Sequence, residues 1–208
     1  MKIKVCGITT LEQMQQLQHM DVDYAGMIFY EGSRRFVADR LEGQKAEVSK
    51  SAIKKVGVFV NADYNTIVKA VEGYGLSAVQ LHGDETDEFC LELMDKVKVI
   101  KVFRIGGEGD IDALTEPFLN VCHYFLFDTA TKAYGGSGKQ FNWAVLEKAK
   151  INKRFFLSGG IGLDDTGALK AFQHPYLYAI DVNSRFETEP GVKDMAKVQQ
   201  FVNALNHE

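Results

Sequence analysis

Eight short apolar runs, each followed by a polar or amphipathic stretch, limit what this chain can fold into. They are Ile3–Val5, Tyr24–Phe29, Lys55–Val60, Ala78–Leu81, Val97–Phe103, Tyr124–Phe127, Phe155–Leu157 and Tyr178–Val182. Most are apolar almost without interruption rather than alternating. That pattern suits parallel strands buried on both faces. The stretches between them carry helical spacing: Leu11, Met14 and Leu17; Ile67, Val68 and Val71; Phe89 and Leu93; Leu169 and Phe172; and last Met195, Val198, Val202 and Leu205. Thr10 with Gln13 forms a capping box ahead of the first of these. Strand–helix alternation means an α/β fold, and the count selects the architecture. A flavodoxin-like sheet needs about five strands and a dinucleotide fold about six. Eight units in 208 residues leave about 26 residues each, near the short limit of a (β/α)8 TIM barrel. No Pro/Ser-rich or low-complexity segment divides the chain, so residues 1–208 are read as one domain.

Composition narrows the function classes. With 46% hydrophobic and 25% charged residues the chain reads as a globular protein. The formal net charge of −4 gives no basic face for nucleic acid or a membrane surface. No apolar run approaches the ~18–20 residues of a membrane span. The first residues enter a strand with no signal-like segment before it. Three cysteines do not make a disulfide framework, so reduced thiols in the cytoplasm are expected.

In such barrels chemistry gathers where strands end and the following loops begin. The residues there are Cys6, Arg34 with Arg35, Asn61, His82, Arg104, Asp128, Ser158 with Gly159 and Gly160, and Asp181 with Asn183 and Ser184. Each has a bland reading beside a functional one. Cys6, closing "KIKVC" before a glycine, is either core filler or a reactive thiol. Cys90, on a helix face, and Cys122, ahead of a strand at the opposite end, read as structural. Asp128 closes "YFLFD", and a carboxylate there must be paired, hydrated or functional. His82 in "VQLHGDE" is either a structural hydrogen-bonder or a site residue. It has no partners at metal-ligand spacing, and no metal is expected. "AYGGSGKQ" fails as a phosphate-binding Walker loop, because Ala133 stands at its first glycine and Gln140 at its Ser/Thr. Its glycines read instead as a mobile loop over the site. "LSGGIG" after the seventh strand reads as a phosphate nest or as a tight turn into the next helix.

In their order along the chain, "KVCGIT", "VGVFVN", "QLHGDE", "FDT" with "YGGSGKQFNW", "LSGGI" and "DVNS" resemble motifs of the phosphoribosylanthranilate isomerases. The resemblance implies a cofactor-free Amadori rearrangement of a phosphorylated anthranilate substrate in tryptophan biosynthesis, by a monomer or homodimer. It implies Cys6 as general base and Asp128 as general acid. Arg35 matches the position that pairs with the anthranilate carboxylate, and His82 and Asp181 match further site positions. Gly160 and Ser184 match phosphate-loop positions, and Gly159 and Asn183 beside them are taken as substrate-binding with them. The chemistry asks Cys6 to give up a proton and Asp128 to hold one; a cation beside the thiol and burial of the carboxyl would serve that. Gly7 is expected to leave room for the sugar. Two positions depart from the family. Ser33-Arg34-Arg35 stands where relatives usually have Ser-Pro-Arg, and Arg185 replaces a glycine of the phosphate turn. Arg185 is therefore expected either to distort that turn or to bind phosphate itself. Two rival readings are another phosphosugar isomerase on the same scaffold, and a non-catalytic barrel that binds a phosphorylated metabolite.

Overall fold

The computed structural model describes residues 1–106, 110–130 and 140–206. Its eight parallel strands are β1 (Lys2–Val5), β2 (Tyr24–Ile28), β3 (Lys54–Phe59), β4 (Ala78–Leu81), β5 (Lys98–Ile105), β6 (Tyr124–Thr129), β7 (Phe155–Leu157) and β8 (Leu177–Val182). They follow one another in chain order, and β8 closes the ring against β1. Each apolar run of the sequence has become a strand, with ends displaced by at most two residues.

The period of two in a strand sorts side chains to the inside and the outside of the ring. Tyr24, Val56, Ala78, Ile100, Val102, Leu126, Phe156 and Ala179 fill the interior. The alternate positions, such as Val79, Phe125 and Ile180, face the helical layer in a larger outer core. That layer comprises α1 (Leu11–Gln18), α2 (Ala38–Leu41), α3 (Lys45–Lys50), α4 (Tyr64–Tyr74), α5 (Asp87–Met94), α6 (Ile111–Thr115), α7 (Ala144–Lys148), α8 (Thr166–Ala171) and α9 (Met195–Asn206). Each longer helix buries its apolar stripe: Met14 and Leu17 from α1, Ile67, Ala70 and Tyr74 from α4, and Val198, Phe201 and Val202 from α9. Side-chain caps start them, as where Thr10, Asp63 and Thr86 accept the backbone N–H three residues on.

Two parts were not legible in the sequence. α2 and α3 between β2 and β3 lack a long apolar period, and a hairpin follows β8. Its strands, β9 (Glu187–Glu189) and β10 (Val192–Lys193), pair antiparallel through a turn with Gly191 at φ +89°. Phe186, just before the hairpin, is fully buried and packs edge-on against Phe201 of α9. The Gly191 carbonyl then accepts from Thr9 Oγ1 (2.6 Å) and Gln13 Nε2 (2.9 Å). The hairpin is thereby latched over the mouth of β1. The glycine-rich stretch expected as a mobile loop (residues 133–140) lies, apart from Gln140, outside the described residues.

Candidate active site

Cys6 extends the β1–β8 ladder by one residue, its N–H donating to the Val182 carbonyl at 2.8 Å. By the two-residue period Lys4 and Cys6 both point into the ring. Gly26 of β2 makes room for the sulfur: a Cβ on Gly26 would lie 2.7 Å from Sγ. The residues behind Cys6 are explained by local structure. Gly7 adopts φ +79°, a conformation that favours glycine, and Thr9 and Thr10 serve as hairpin latch and helix cap. The expectation that Gly7 leaves space for a sugar is corrected here. A Cβ at Gly7 would meet Asn183 Oδ1 (2.7 Å), Arg35 Cδ (2.8 Å) and Lys193 Nζ (3.3 Å), so protein atoms occupy that space.

The thiol is buried, with 4% of its surface exposed. Burial raises its pKa; Lys4 and Lys193 pull it back down, and Asp181 pushes it up, with a net rise. The cations that sequence reasoning asks for beside the thiol are present, and they offset part of the effect of burial. Cys90 and Cys122 are buried and pushed to about 12 and about 11 chiefly by desolvation, as suits inert core thiols.

Register places the carboxylates. Lys4 lies opposite Asp181 in the β1–β8 pairing, and its buried ammonium donates to Asp181 Oδ1 at 2.9 Å. Burial raises the Asp181 pKa, and Lys4 opposes that rise. Asp128, on β6 beside Arg104 of β5, has its Oδ1 accepting from Thr129 N (2.8 Å). Its Oδ2 faces His82 Nε2 at 3.5 Å. Gln80 Nε2 lies 3.1 Å from His82 Nδ1, which holds the ring with Nε2 facing Asp128. Gln80 Oε1 and His82 Nε2 are buried without a hydrogen-bond partner. The turn after His82 is fixed by Glu85, which accepts from Asn61 N (2.9 Å), Gly83 N (3.0 Å) and Lys101 Nζ (2.9 Å).

Arg35 does not point freely into the mouth. Its Nε and Nη2 form a fork on the Glu187 carboxylate at 2.9 and 2.6 Å, and Lys193 Nζ reaches the same carboxylate at 2.7 Å. Lys193 also donates to Asn183 O (3.2 Å) and Asn183 Oδ1 (2.8 Å). Lys4, Glu187 and Lys193 were missed in the sequence. Lys4 had a signal, a lysine alternating with apolar residues in a strand. The other two arrive on the hairpin, which had none.

Beyond β7, Gly159 (φ +99°) and Gly160 (φ +64°) both take positive φ, a conformation that favours glycine. A side chain at Gly159 would clash with Thr129 and come within 3.2 Å of Asp128 Oδ1. Ser184–Phe186 forms one 3-10 turn, and Arg185 is not among the residues with positive φ. Arginine therefore stands at the family's glycine position without needing a left-handed backbone. Its guanidinium lies over Gly162, donates to the Gly160 carbonyl (3.1 Å) and stands 3.7 Å from Asp164 and Asp165. It bridges the loops after β7 and β8.

A closed parallel ring with its polar residues gathered at the carboxyl ends of the strands defines a (β/α)8-barrel enzyme scaffold. The family model described as N-(5'phosphoribosyl)anthranilate (PRA) isomerase matches residues 3–204. The chain belongs to that family. Among its relatives, the N-(5'-phosphoribosyl)anthranilate isomerase of Parabacteroides distasonis is 39% identical over all of this chain and 94% of its own. The crystal structure of phosphoribosyl anthranilate isomerase from Thermotoga maritima superposes with a TM-score of 0.85 at 30% identity, covering 100% of this chain and 99% of that one. Another phosphoribosyl anthranilate isomerase was solved in complex with reduced 1-(o-carboxyphenylamino)-1-deoxyribulose 5-phosphate. It gives a TM-score of 0.81 at 26% identity over 100% of this chain and 99% of its own.

Proposed function

We propose that the protein isomerises N-(5-phosphoribosyl)anthranilate to 1-(2-carboxyphenylamino)-1-deoxyribulose 5-phosphate, with Cys6 as general base and Asp128 as general acid. The carrying observation is the rim itself: a buried thiol at the end of β1 and a carboxylate at the end of β6 open on the same mouth, beside the Gly159–Gly160 turn.

The substrate is a furanosylamine. Protonation of the ring oxygen by Asp128 lets the anthranilate nitrogen push out the C1–O bond, leaving an open-chain iminium. Cys6, as thiolate, takes the proton from the neighbouring carbon, whose acidity the iminium has increased. The electron pair released forms the enolamine, which tautomerises to the aminoketone. One sugar carbon is oxidised as its neighbour is reduced, so electrons balance within the substrate. His82, hydrogen-bonded to Gln80, orients its ring toward the acid, and Lys4 keeps Asp181 from standing as a lone buried anion beside the base. Gly159, Gly160, Asn183 and Ser184 are proposed to form the phosphate end. The cytoplasm is the proposed compartment, since three free cysteines suit reducing surroundings. Among the described residues no helix is long and apolar enough to cross a membrane.

The direct test is a fluorescence assay of purified protein with freshly made phosphoribosylanthranilate in chelator-treated buffer. Loss of anthranilate-linked fluorescence that needs the protein is expected. Conversion of other phosphosugars without a carboxylated ring would favour the other-isomerase reading, and binding without turnover would favour a non-catalytic barrel.

Arg35 is proposed to meet the anthranilate carboxylate with the donors that Glu187 leaves free. Arg35→Met should then weaken a carboxylated product analogue by roughly 1.5–3 kcal/mol and leave inorganic phosphate affinity nearly unchanged. Equal losses for both ligands would place Arg35 elsewhere. Arg185 is proposed to brace the phosphate nest and add charge to it. Arg185→Ala should raise KM several-fold with little change in kcat, the pattern of lost uniform binding. Because the guanidinium is partly exposed, added salt should shrink that difference. An unchanged KM would return Arg185 to a purely surface role.

A further inference from the structure

Two groups of buried charges meet at Cys6, and they differ in balance. On its own strand lies Lys4, faced from β8 by Asp181; this pair is neutral in sum. From the other side come Arg35 of the loop after β2, Glu187 of β9 and Lys193 of β10. Here two cations share one carboxylate, so one positive charge is uncompensated. Asp128 and His82 stand farther round the mouth and act on Asp181.

The protonation of Lys193 follows from its partners. Its Nζ has three acceptors, Asn183 O, Asn183 Oδ1 and Glu187 Oε1, within 3.2 Å. Three acceptors use all three donors of an ammonium, and a neutral amine has only two. The side chain has no exposed surface. Solvent therefore screens its charge little. Its Nζ sits 3.3 Å from the Cβ position of Gly7, the residue next to the thiol.

We infer that Lys193 is a positioning residue for the base: its ammonium, held over Gly7 by Glu187 and Asn183, stabilises the Cys6 thiolate through space. This rests on the reading of Cys6 as the general base. Burial of a lysine and a glutamate under a latched hairpin is costly without such a purpose. The hairpin, joined to the β1 loop through Gly191, carries both into place. Burial lowers the Lys193 pKa and raises that of Cys6; against it, the coulombic coupling between the two acts in the required sense, Lys193 lowering Cys6 and Cys6 raising Lys193.

The test measures the pH dependence of Cys6 alkylation by iodoacetamide, with the modified peptide quantified by mass spectrometry. Lys193→Met should move the midpoint up by about one pH unit, a tenfold loss of thiolate below it. The acidic limb of kcat/KM should move with it, and Lys193→Arg should restore most of the shift. Glu187→Gln removes the shared anion and should move the midpoint down. Merely loosened packing would admit water to the thiol and lower the midpoint in both variants. An unchanged or lowered midpoint in a folded Lys193→Met protein would overturn the proposal; should that variant not fold, an unchanged or raised midpoint in Glu187→Gln does so. The base assignment fails separately, if Cys6→Ala keeps its turnover.

Discussion

Cys6→Ala is expected to lower kcat by ~10²–10⁴, the range for removing a general base. Affinity for a product analogue should stay within a few-fold. Alanine adds no bulk beside Gly26, and the ladder bond from residue 6 to Val182 uses only backbone. Cys6→Ala should therefore fold and bind, and fail only at the proton abstraction. The pH profile sharpens the test. Burial lifts the thiol, so the wild-type rate should climb with pH as thiolate accumulates. What activity the alanine variant retains should lack that climb. Near-normal kcat would end the assignment.

Asp128→Asn is expected to be as damaging, and its interest lies in how little else it changes. The amide oxygen can still accept from Thr129 N, as Oδ1 does now, and the side chain keeps its shape beside Gly159. The melting temperature should shift by only a few degrees, while kcat falls by ~10²–10⁴ because an amide has no acidic proton to deliver to the ring oxygen. Product-analogue binding, measured in parallel, separates lost chemistry from a lost site. Turnover near wild type at neutral pH would mean that another group is the acid.

The strands were legible because a strand buried on both faces writes its own signature, an unbroken apolar run such as Phe155–Leu157. Cys6, His82 and Asp128 were legible for the same reason, since they follow directly where those runs stop, and Asp181 because it is a lone carboxylate near the end of one. Helices α2 and α3 were not, being short and only lightly buried. Pairings across the ring were not legible either. Arg35 was matched to the position that pairs with the anthranilate carboxylate, and it also holds Glu187, 152 residues away. Nothing near either residue in the sequence announces that partnership. Arg185 shows the reverse limit. Its departure from a family glycine was visible at once, but its ordinary backbone geometry and its bond to Gly160 follow from the shape of the turn.

The joint between β1 and β8 also sets when in its own synthesis this protein can become an enzyme. Lys4 and Asp181 are 177 residues apart, and Thr9 and Gly191 are 182 apart. Both contacts are in place only after residue 191 has been made, and they carry a large loop-closure entropy. A nascent chain that has folded its first six or seven strands holds Cys6 with neither Lys193 nor a partner for Lys4. Its ring is open at β1, and its thiol is bare on an unpaired edge. The base and its buried charges are together only once the last strand has docked on the first and the hairpin has latched behind it.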